Sequence, residues 1–278
     1  MKPRSIVLLA LALAETSASR AEPPPDKLMF AWPEMTCGVT QKLEKSNSAR
    51  PIESRYTMTV RHAGENLRVS FLGFEVIDTF QDVPMRRRKP FIEAETALGR
   101  YDTERVFDIS TAGTFVGAET SADVEHRMKS YGNPVPLLLS SGQDRLDSRY
   151  RPRWQDFVGN WIGYPAAPAD AVPVKLGHPG DEFWLNYDVP TEVTVGSPAE
   201  CRRGGQAVRC ITLRTRFMPA FKEAGAGSTR HEDTSEIVLE PDTMIPHAWM
   251  DEVMYRGGSL DGNIESRYTR TFECAPGS

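Results

Sequence analysis

The chain has 278 residues, of which 40% are hydrophobic and 26% charged, and its formal net charge is −5. This composition excludes a disordered chain, because its apolar content is ample for a packed core. The acidic balance argues against nucleic-acid binding, which depends on cationic side chains that contact phosphates.

A secretory signal peptide is predicted at the N terminus. Lys2 and Arg4 precede an apolar run at residues 6–14, and small residues flank a cleavage site after residue 21. The run is too short to span a bilayer, which needs about 20 residues. We therefore predict that residues 1–21 are removed and that residues 22–278 form one exported domain, periplasmic or secreted, without a transmembrane segment.

Strand signals dominate from about residue 29 to 118 and predict an N-terminal β lobe. One hairpin is predicted around a Gly64-Glu65 turn, and a second around Ala112-Gly113. The first hairpin would place Val60 opposite Val69 and Met58 opposite Phe71. The charge run Arg86, Arg87, Arg88 and Lys89 is interpreted as a solvated loop. Its functional alternative is contact with an envelope protein or with anionic lipid headgroups.

A helical middle segment is predicted over about residues 119–165, where the period of the apolar residues changes. Thr120, with Asp123 three residues later, is typical of a helix-capping box. A second helix is predicted from Pro152, because the apolar residues after it fall on one helical face. They are Trp154, Phe157, Val158, Trp161 and Ile162. This ridge either packs on the sheet as ordinary core or lines a ligand cavity.

Strands are predicted to return after an alanine- and proline-rich linker at residues 166–173, and they form a C-terminal β lobe over about 172–274. Gly196-Ser197-Pro198 would break or bulge a strand, because proline cannot donate to a ladder. The predicted strands cover residues 183–187, 192–195, 208–217, 236–240, 247–255 and 264–274.

The four cysteines are predicted to form two disulfides in the oxidising compartment that a signal peptide implies. A hairpin with a Gly205-Gln206 loop would place Cys201 opposite Cys210, within disulfide range. By elimination Cys37 would pair with Cys274 and join the two ends of the mature fold. The alternatives are free thiols or a metal site, although close ligand pairs such as C-x2-C are absent from the sequence.

No motif identifies a catalytic or metal site. His231-Glu232-Asp233 would offer metal ligands, but consecutive strand residues point to opposite faces, so we interpret the segment as a solvated loop. Residues 257–262 superficially resemble a nucleophile elbow, but Asp261 stands where the G-x-S-x-G motif requires glycine, and a hairpin turn is favoured. We therefore predict no catalytic residue, no metal and no cofactor.

The order of elements resembles that of LolA/LppX-type periplasmic lipoprotein carriers: antiparallel strands, a tryptophan-rich helical middle, then more antiparallel strands after a signal peptide. Residues 238–246, Val-Leu-Glu-Pro-Asp-Thr-Met-Ile-Pro, are similar to a strand-turn phrase that recurs between late strands of that superfamily. The resemblance implies a curved, unclosed barrel that wraps around helices and shelters acyl chains.

We expect a mainly β (α+β) fold in which a curved antiparallel sheet or open half-barrel packs on one or two helices. The leading hypothesis is a non-enzymatic exported protein that binds an apolar or lipid-like ligand in the concavity of the sheet. The alternatives are an envelope scaffold or protein-interaction module with a filled core and no ligand, and an unrecognised hydrolase. The predicted ligand-lining residues are Trp154, Phe157, Trp161, Met58, Val69 and Phe71.

Overall fold

One antiparallel sheet dominates the part of the chain that the structure describes. The computed structural model describes residues 25–46, 48, 50–132, 143–174, 191–217, 230–256 and 263–276. Within these ranges twelve strands form a curved sheet that does not close into a barrel, accompanied by three α-helices, so the expected fold class is confirmed. None of these helices is long and apolar enough to cross a bilayer. The strands are β1 (Met35–Lys45), β2 (Ile52–Ala63), β3 (Asn66–Val76), β4 (Arg105–Ser110), β5 (Phe115–Ala118), β6 (Ala169–Val174), β7 (Thr191–Val195), β8 (Ala199–Arg203), β9 (Gln206–Phe217), β10 (Arg230–Leu239), β11 (Pro246–Arg256) and β12 (Ile264–Pro276). The helices are α1 (Met85–Thr103), α2 (Ser121–Ser130) and α3 (Gln143–Phe157).

The strand order brings the first and last strands together. Across the sheet the order is β5-β4-β3-β2-β1-β12-β11-β10-β9-β7-β6, and β8 pairs with β9 beside this path. Cys37 of β1 stands directly opposite Cys274 of β12, and the two form a disulfide with a Cα–Cα distance of 3.9 Å. The predicted pairing is confirmed. It crosslinks the two strands that join the N-terminal and C-terminal parts of the sheet.

The predicted hairpin of β2 and β3 is confirmed with its register. Val60 pairs with Val69 and Met58 pairs with Phe71. The turn begins with Gly64, whose φ of +65° is a left-handed conformation that glycine adopts without strain. The four paired residues are buried, and Phe71 contacts Phe157 of α3. The second predicted hairpin is present as β4 and β5.

The disulfide between Cys201 and Cys210 is confirmed, but the predicted register of its hairpin is wrong. The loop is Gly204-Gly205, so Cys201 pairs with Val208. The two loop glycines have φ values of +56° and +83°, as a type I′ turn requires at both central positions. Cys210 therefore lies diagonally across from Cys201 on the same face, and their Cα atoms are 5.8 Å apart.

The two predicted helices are present as α2 and α3. Thr120 and Asp123 form the predicted capping box: the Asp123 N–H donates to Thr120 Oγ1 at 3.2 Å, and the Thr120 N–H donates to Asp123 Oδ2 at 3.1 Å. Helix α3 begins at Gln143 instead of Pro152, which lies in its interior. An interior proline removes one backbone hydrogen bond, and the aromatic packing of α3 on the sheet offsets that loss.

Helix α1 lies inside the region that was predicted to be β. None of its residues is fully buried. Its sequence therefore lacks the periodic apolar face from which an amphipathic helix is predicted. Arg86, Arg87 and Arg88 therefore belong to the beginning of a helix, and the predicted solvated loop is wrong. Arg86 and Arg87 are exposed, whereas Arg88 is half-buried and lies 3.3 Å from Asp78.

Two further segments differ from prediction. The proposed 166–173 linker contains β6, which pairs with β7 at the edge of the sheet, where proline is tolerated. His231 and Glu232 belong to β10 instead of a loop, because their backbone pairs with β11. The buried Glu232 carboxylate accepts from Arg216 Nε at 2.9 Å. The division into two β lobes stays a prediction. The predicted signal peptide 1–21, the strand 183–187 and the turn 257–262 lie outside the described residues.

Candidate functional site

The six predicted ligand-lining residues lie together where α3 meets the sheet. Met58, Val69 and Phe71 belong to β2 and β3, Trp154 and Phe157 to α3, and Trp161 to the 3-10 turn Gly159–Trp161. None of the six is more than 2% exposed. The structure packs them as interior, so a ligand at this interface would have to displace protein side chains.

Phe157 is the centre of this aromatic interior. Its ring centroid lies 4.7 Å from that of Trp249 in β11 and 5.8 Å from that of Phe272 in β12, and both pairs are stacked. Beside it, the indole N–H of Trp154 donates to the main-chain oxygen of Gly113 at 2.8 Å, which satisfies a donor that burial would otherwise leave unpaired. These contacts hold α3 on the concave, inner face of the sheet.

An open pocket begins where this aromatic interior ends. Its volume is about 610 Å³, and it lies between the α1–β4 junction, α3 and the inner face of the sheet. Of the six predicted residues, only Trp161 borders it. Sequence reasoning missed the others that define its character, namely Arg105, Arg153, Trp249, Tyr268 and Arg270.

The pocket follows from a change of residue type along individual strands. On β12 the inner-face positions run from Tyr268 and Arg270, which border the pocket, to Phe272, which is buried. Three neighbouring strands contribute polar residues at the same end, at Gln41 of β1, Ser235 of β10 and Asp251 of β11. Helix α3 covers the apolar part of the inner face and leaves the polar part open. This signal is present in the sequence, but it becomes readable only after the strands are in register.

Arg270 is held firmly at the base of the pocket. Its guanidinium donates to Gln41 Oε1 at 3.0 Å and to Asp251 Oδ2 at 2.7 Å, and it lies 4.4 Å from the ring centroid of Trp249. Burial opposes its positive charge, but Tyr56 and Asp251 outweigh burial and raise the pKa of Arg270. The side chain is therefore a permanent, oriented cation against an aromatic wall.

Arg105 and Arg153 are less well compensated. The Arg105 guanidinium lies 4.4 Å from the ring centroid of Phe71, and no carboxylate of the described residues forms an ion pair with it. Burial lowers the pKa of Arg105 to about 9, and the charge of Arg153 adds to the effect, so Arg105 is still protonated at neutral pH. Arg153 donates to the main-chain oxygen of Asp102 at 2.5 Å. Burial, reinforced by Arg149, lowers its pKa.

One group of potential metal ligands occurs among the described residues. The sulfur atoms of Cys201 and Cys210 and a ring nitrogen of His247 lie within 4.8 Å of one another. The two sulfurs are bonded to each other, so they do not supply the thiolates that bind metals. His247 Nε2 instead lies 3.0 Å from Glu240 Oε1, and the arrangement is a structural crosslink beside a polar contact.

Comparison with known proteins assigns no family. No protein-family model and no curated protein matches the chain. Among solved structures, the chain is similar to lipovitellin, in a structure concerned with its lipid–protein interactions, with 11% sequence identity and a TM-score of 0.38. The match covers 88% of this chain and 26% of the lipovitellin chain, so this chain spans about a quarter of that protein's length. Function therefore has to be inferred from the pocket itself.

Proposed function

We propose that this protein is a non-enzymatic binding protein that holds an amphipathic, lipid-like ligand in the open pocket on the concave face of its sheet. The pocket is the observation that carries the proposal. Its volume of about 610 Å³ lies within the range of about 300–1,000 Å³ that is usual for small-molecule sites. Half-buried Val253 and Tyr268 offer apolar surface beside the edge of Trp249, and the arginines offer charge, so the pocket suits a molecule with one apolar and one polar part.

The proposal places the ligand beside the aromatic interior and not within it. The interior between α3 and the sheet is filled, whereas the pocket is open to a ligand without displacement of core side chains. The resemblance to periplasmic lipoprotein carriers supports the same class of ligand. Two disulfides are typical of proteins from oxidising compartments, which supports a periplasmic or secreted location together with the predicted signal peptide.

A matched pair of substitutions on β12 tests the proposal. Ser266 borders the pocket, whereas Thr271 is exposed on the outer face of the same strand. Isothermal titration with dodecanoate, dodecanol and dodecyltrimethylammonium should detect one-to-one binding of at least one amphiphile. Ser266→Trp should weaken that binding, because the indole occupies the pocket, and Thr271→Trp should not. Absence of binding by all three compounds, or equal binding by both variants, contradicts the proposal.

The surface of α1 favours a second candidate function, that of a protein-interaction module. Met85, Phe91 and Leu98 are 61%, 39% and 60% exposed, and the exposed Arg86 and Arg87 are close to them in the helix. Aromatic, methionine and arginine side chains are enriched in protein interfaces. An envelope partner that binds here should be captured by the native protein and lost after Arg86→Glu with Arg87→Glu, whereas ligand binding in the pocket should be unaffected by that double substitution.

A further inference from the structure

The arginines of the pocket define the polar part of its ligand. At this end of the pocket the guanidinium groups of Arg105, Arg153 and Arg270 are balanced by one ion-paired carboxylate among the described residues, that of Asp251. The three side chains are half-buried, and neighbouring charges of one sign repel each other and are costly to desolvate. Among the described residues Arg105 and Arg153 form no ion pair, so an anion that reached both guanidinium groups would be stabilised there.

The other carboxylates that border the pocket form no ion pair with Arg105 or Arg153. Asp102 contacts Arg149 at 3.4 Å and is largely exposed; its charge also acts to raise the pKa of Arg153, but burial and Arg149 outweigh it. Glu252 forms its ion pair with Arg267. Asp156 and Asp233 each have an interaction of their own as well. Since none of these carboxylates forms an ion pair with Arg105 or Arg153, the two guanidinium groups keep donors for a ligand.

We propose that Arg105 and Arg153 bind the oxyanion headgroup of the ligand, a carboxylate or a phosphate, while its apolar part lies against Trp249. This inference rests on the proposed function, because it specifies the headgroup of the same amphipathic ligand. A guanidinium presents paired N–H donors that match the two oxygens of such a headgroup.

Both arginines are oriented in advance. Arg105 is held over the ring of Phe71, and Arg153 is held by the main-chain oxygen of Asp102. Because a preorganised side chain loses less conformational freedom on binding, these contacts favour recognition of a specific headgroup over loose attraction of any anion. Arg270 supplies a further positive charge at the pocket base, although its hydrogen bonds to Gln41 and Asp251 already occupy part of its donor set.

A series of compounds that share one alkyl chain tests the headgroup. Isothermal titration of the native protein with dodecanoate, dodecyl phosphate, dodecanol and dodecyltrimethylammonium should show an anionic compound binding at least about tenfold more tightly than dodecanol, because charge-assisted hydrogen bonds are the stronger ones. The tighter of the two anions identifies the headgroup. Inorganic phosphate should bind more weakly than dodecyl phosphate, because it lacks the chain that contacts Trp249.

Arg105→Met keeps an unbranched apolar stem and removes the charge and the guanidinium donors. We expect it to weaken binding of the preferred anion by about tenfold or more, and to affect dodecanol, which has no charge to lose, far less. Arg105→Lys retains the charge without the paired donors, so its affinity should be intermediate. Arg55→Met is the matched control, because Arg55 is exposed on the outer face of β2 and pairs with Glu75. Since Arg105 has no ion-pair partner to leave behind, the methionine variant should fold with native-like circular dichroism.

The outcomes separate this inference from the proposed function. Equal affinity for dodecanoate, dodecyl phosphate and dodecanol overturns the headgroup assignment and leaves ligand binding intact. Tightest binding of dodecyltrimethylammonium also overturns it and points to the carboxylates of the pocket. Equal affinity for inorganic phosphate and dodecyl phosphate overturns the role of the chain. Failure of every amphiphile to bind overturns both proposals.

Discussion

Substitution of Phe157 tests how firmly α3 is held against the sheet. Its side chain is 1% exposed and contacts the rings of Trp249, Phe272 and Trp32. Phe→Ala changes in protein cores cost about 3–5 kcal/mol, with the larger values where neighbours cannot collapse into the cavity. Trp249 and Phe272 are fixed in β11 and β12, which restricts collapse. We therefore expect Phe157→Ala to lose about 4–5 kcal/mol of unfolding free energy.

Urea unfolding followed by circular dichroism, with both disulfides intact, measures this loss. Phe91→Ala is the control, because Phe91 is 39% exposed and should lose about 1 kcal/mol or less. Phe157→Leu keeps most of the side-chain volume and should lose less than the alanine variant, so it provides a reading if the alanine variant does not fold. A loss for Phe157→Ala as small as that for Phe91→Ala would refute the packing of α3 described above.

Three further changes test other parts of the fold. Burial raises the pKa of Glu104 above its usual 4.5. The folded protein therefore holds the Glu104 proton more tightly than the unfolded chain does, and the resulting stabilisation is complete below pH 4.5 and is lost as the pH rises through the raised pKa. Urea unfolding of Glu104→Gln at several pH values should lack this loss of stability, and equal pH slopes for the variant and the native protein contradict the reasoning. Gly99→Ala should lower the melting temperature, because the added Cβ would lie 2.0 Å from Phe74 Cε1. The helix propensity of alanine alone would raise the melting temperature, so a higher melting temperature for the variant contradicts the contact. Joint replacement of Cys37 and Cys274 by alanine opens a crosslink between residues 237 apart and should cost about 5 kcal/mol on the chain-entropy model, whereas a calorimetric loss near zero contradicts it.

Local chemistry explains what could be predicted from the sequence. The β2–β3 register is set by one turn and by apolar residues on both strands, and α2 by its capping box. The disulfide of the second hairpin was predicted despite the wrong register. Adjacent Gly204 and Gly205 allow two turns that differ by a shift of two residues in strand pairing, and such a shift keeps both cysteines on one face.

Non-local structure explains what could not be predicted. Helix α1 buries no side chain completely, so its sequence contains no apolar period. The pocket depends on the register between β1, β10, β11 and β12, whose residues are far apart in the chain. Arg105 alone carries no sequence signal. Its importance comes from the absence of an ion-pair partner among the described residues and from the nearby Arg153 and Arg270, which only the assembled sheet and helices bring together.

Fluorine NMR of fluorotryptophan-labelled protein, titrated with the amphiphile that binds most tightly, tests ligand binding in the pocket most directly. The chain has five tryptophans, of which Trp184 lies outside the described residues. Trp161 and Trp249 border the pocket, whereas Trp32 and Trp154 belong to the core and do not border it, so they serve as internal controls. We expect saturable shifts of the Trp161 and Trp249 resonances, with little change in those of Trp32 and Trp154. A shift at Trp154 without one at Trp249, or no saturable shift at any of the four, would contradict a ligand site in the pocket.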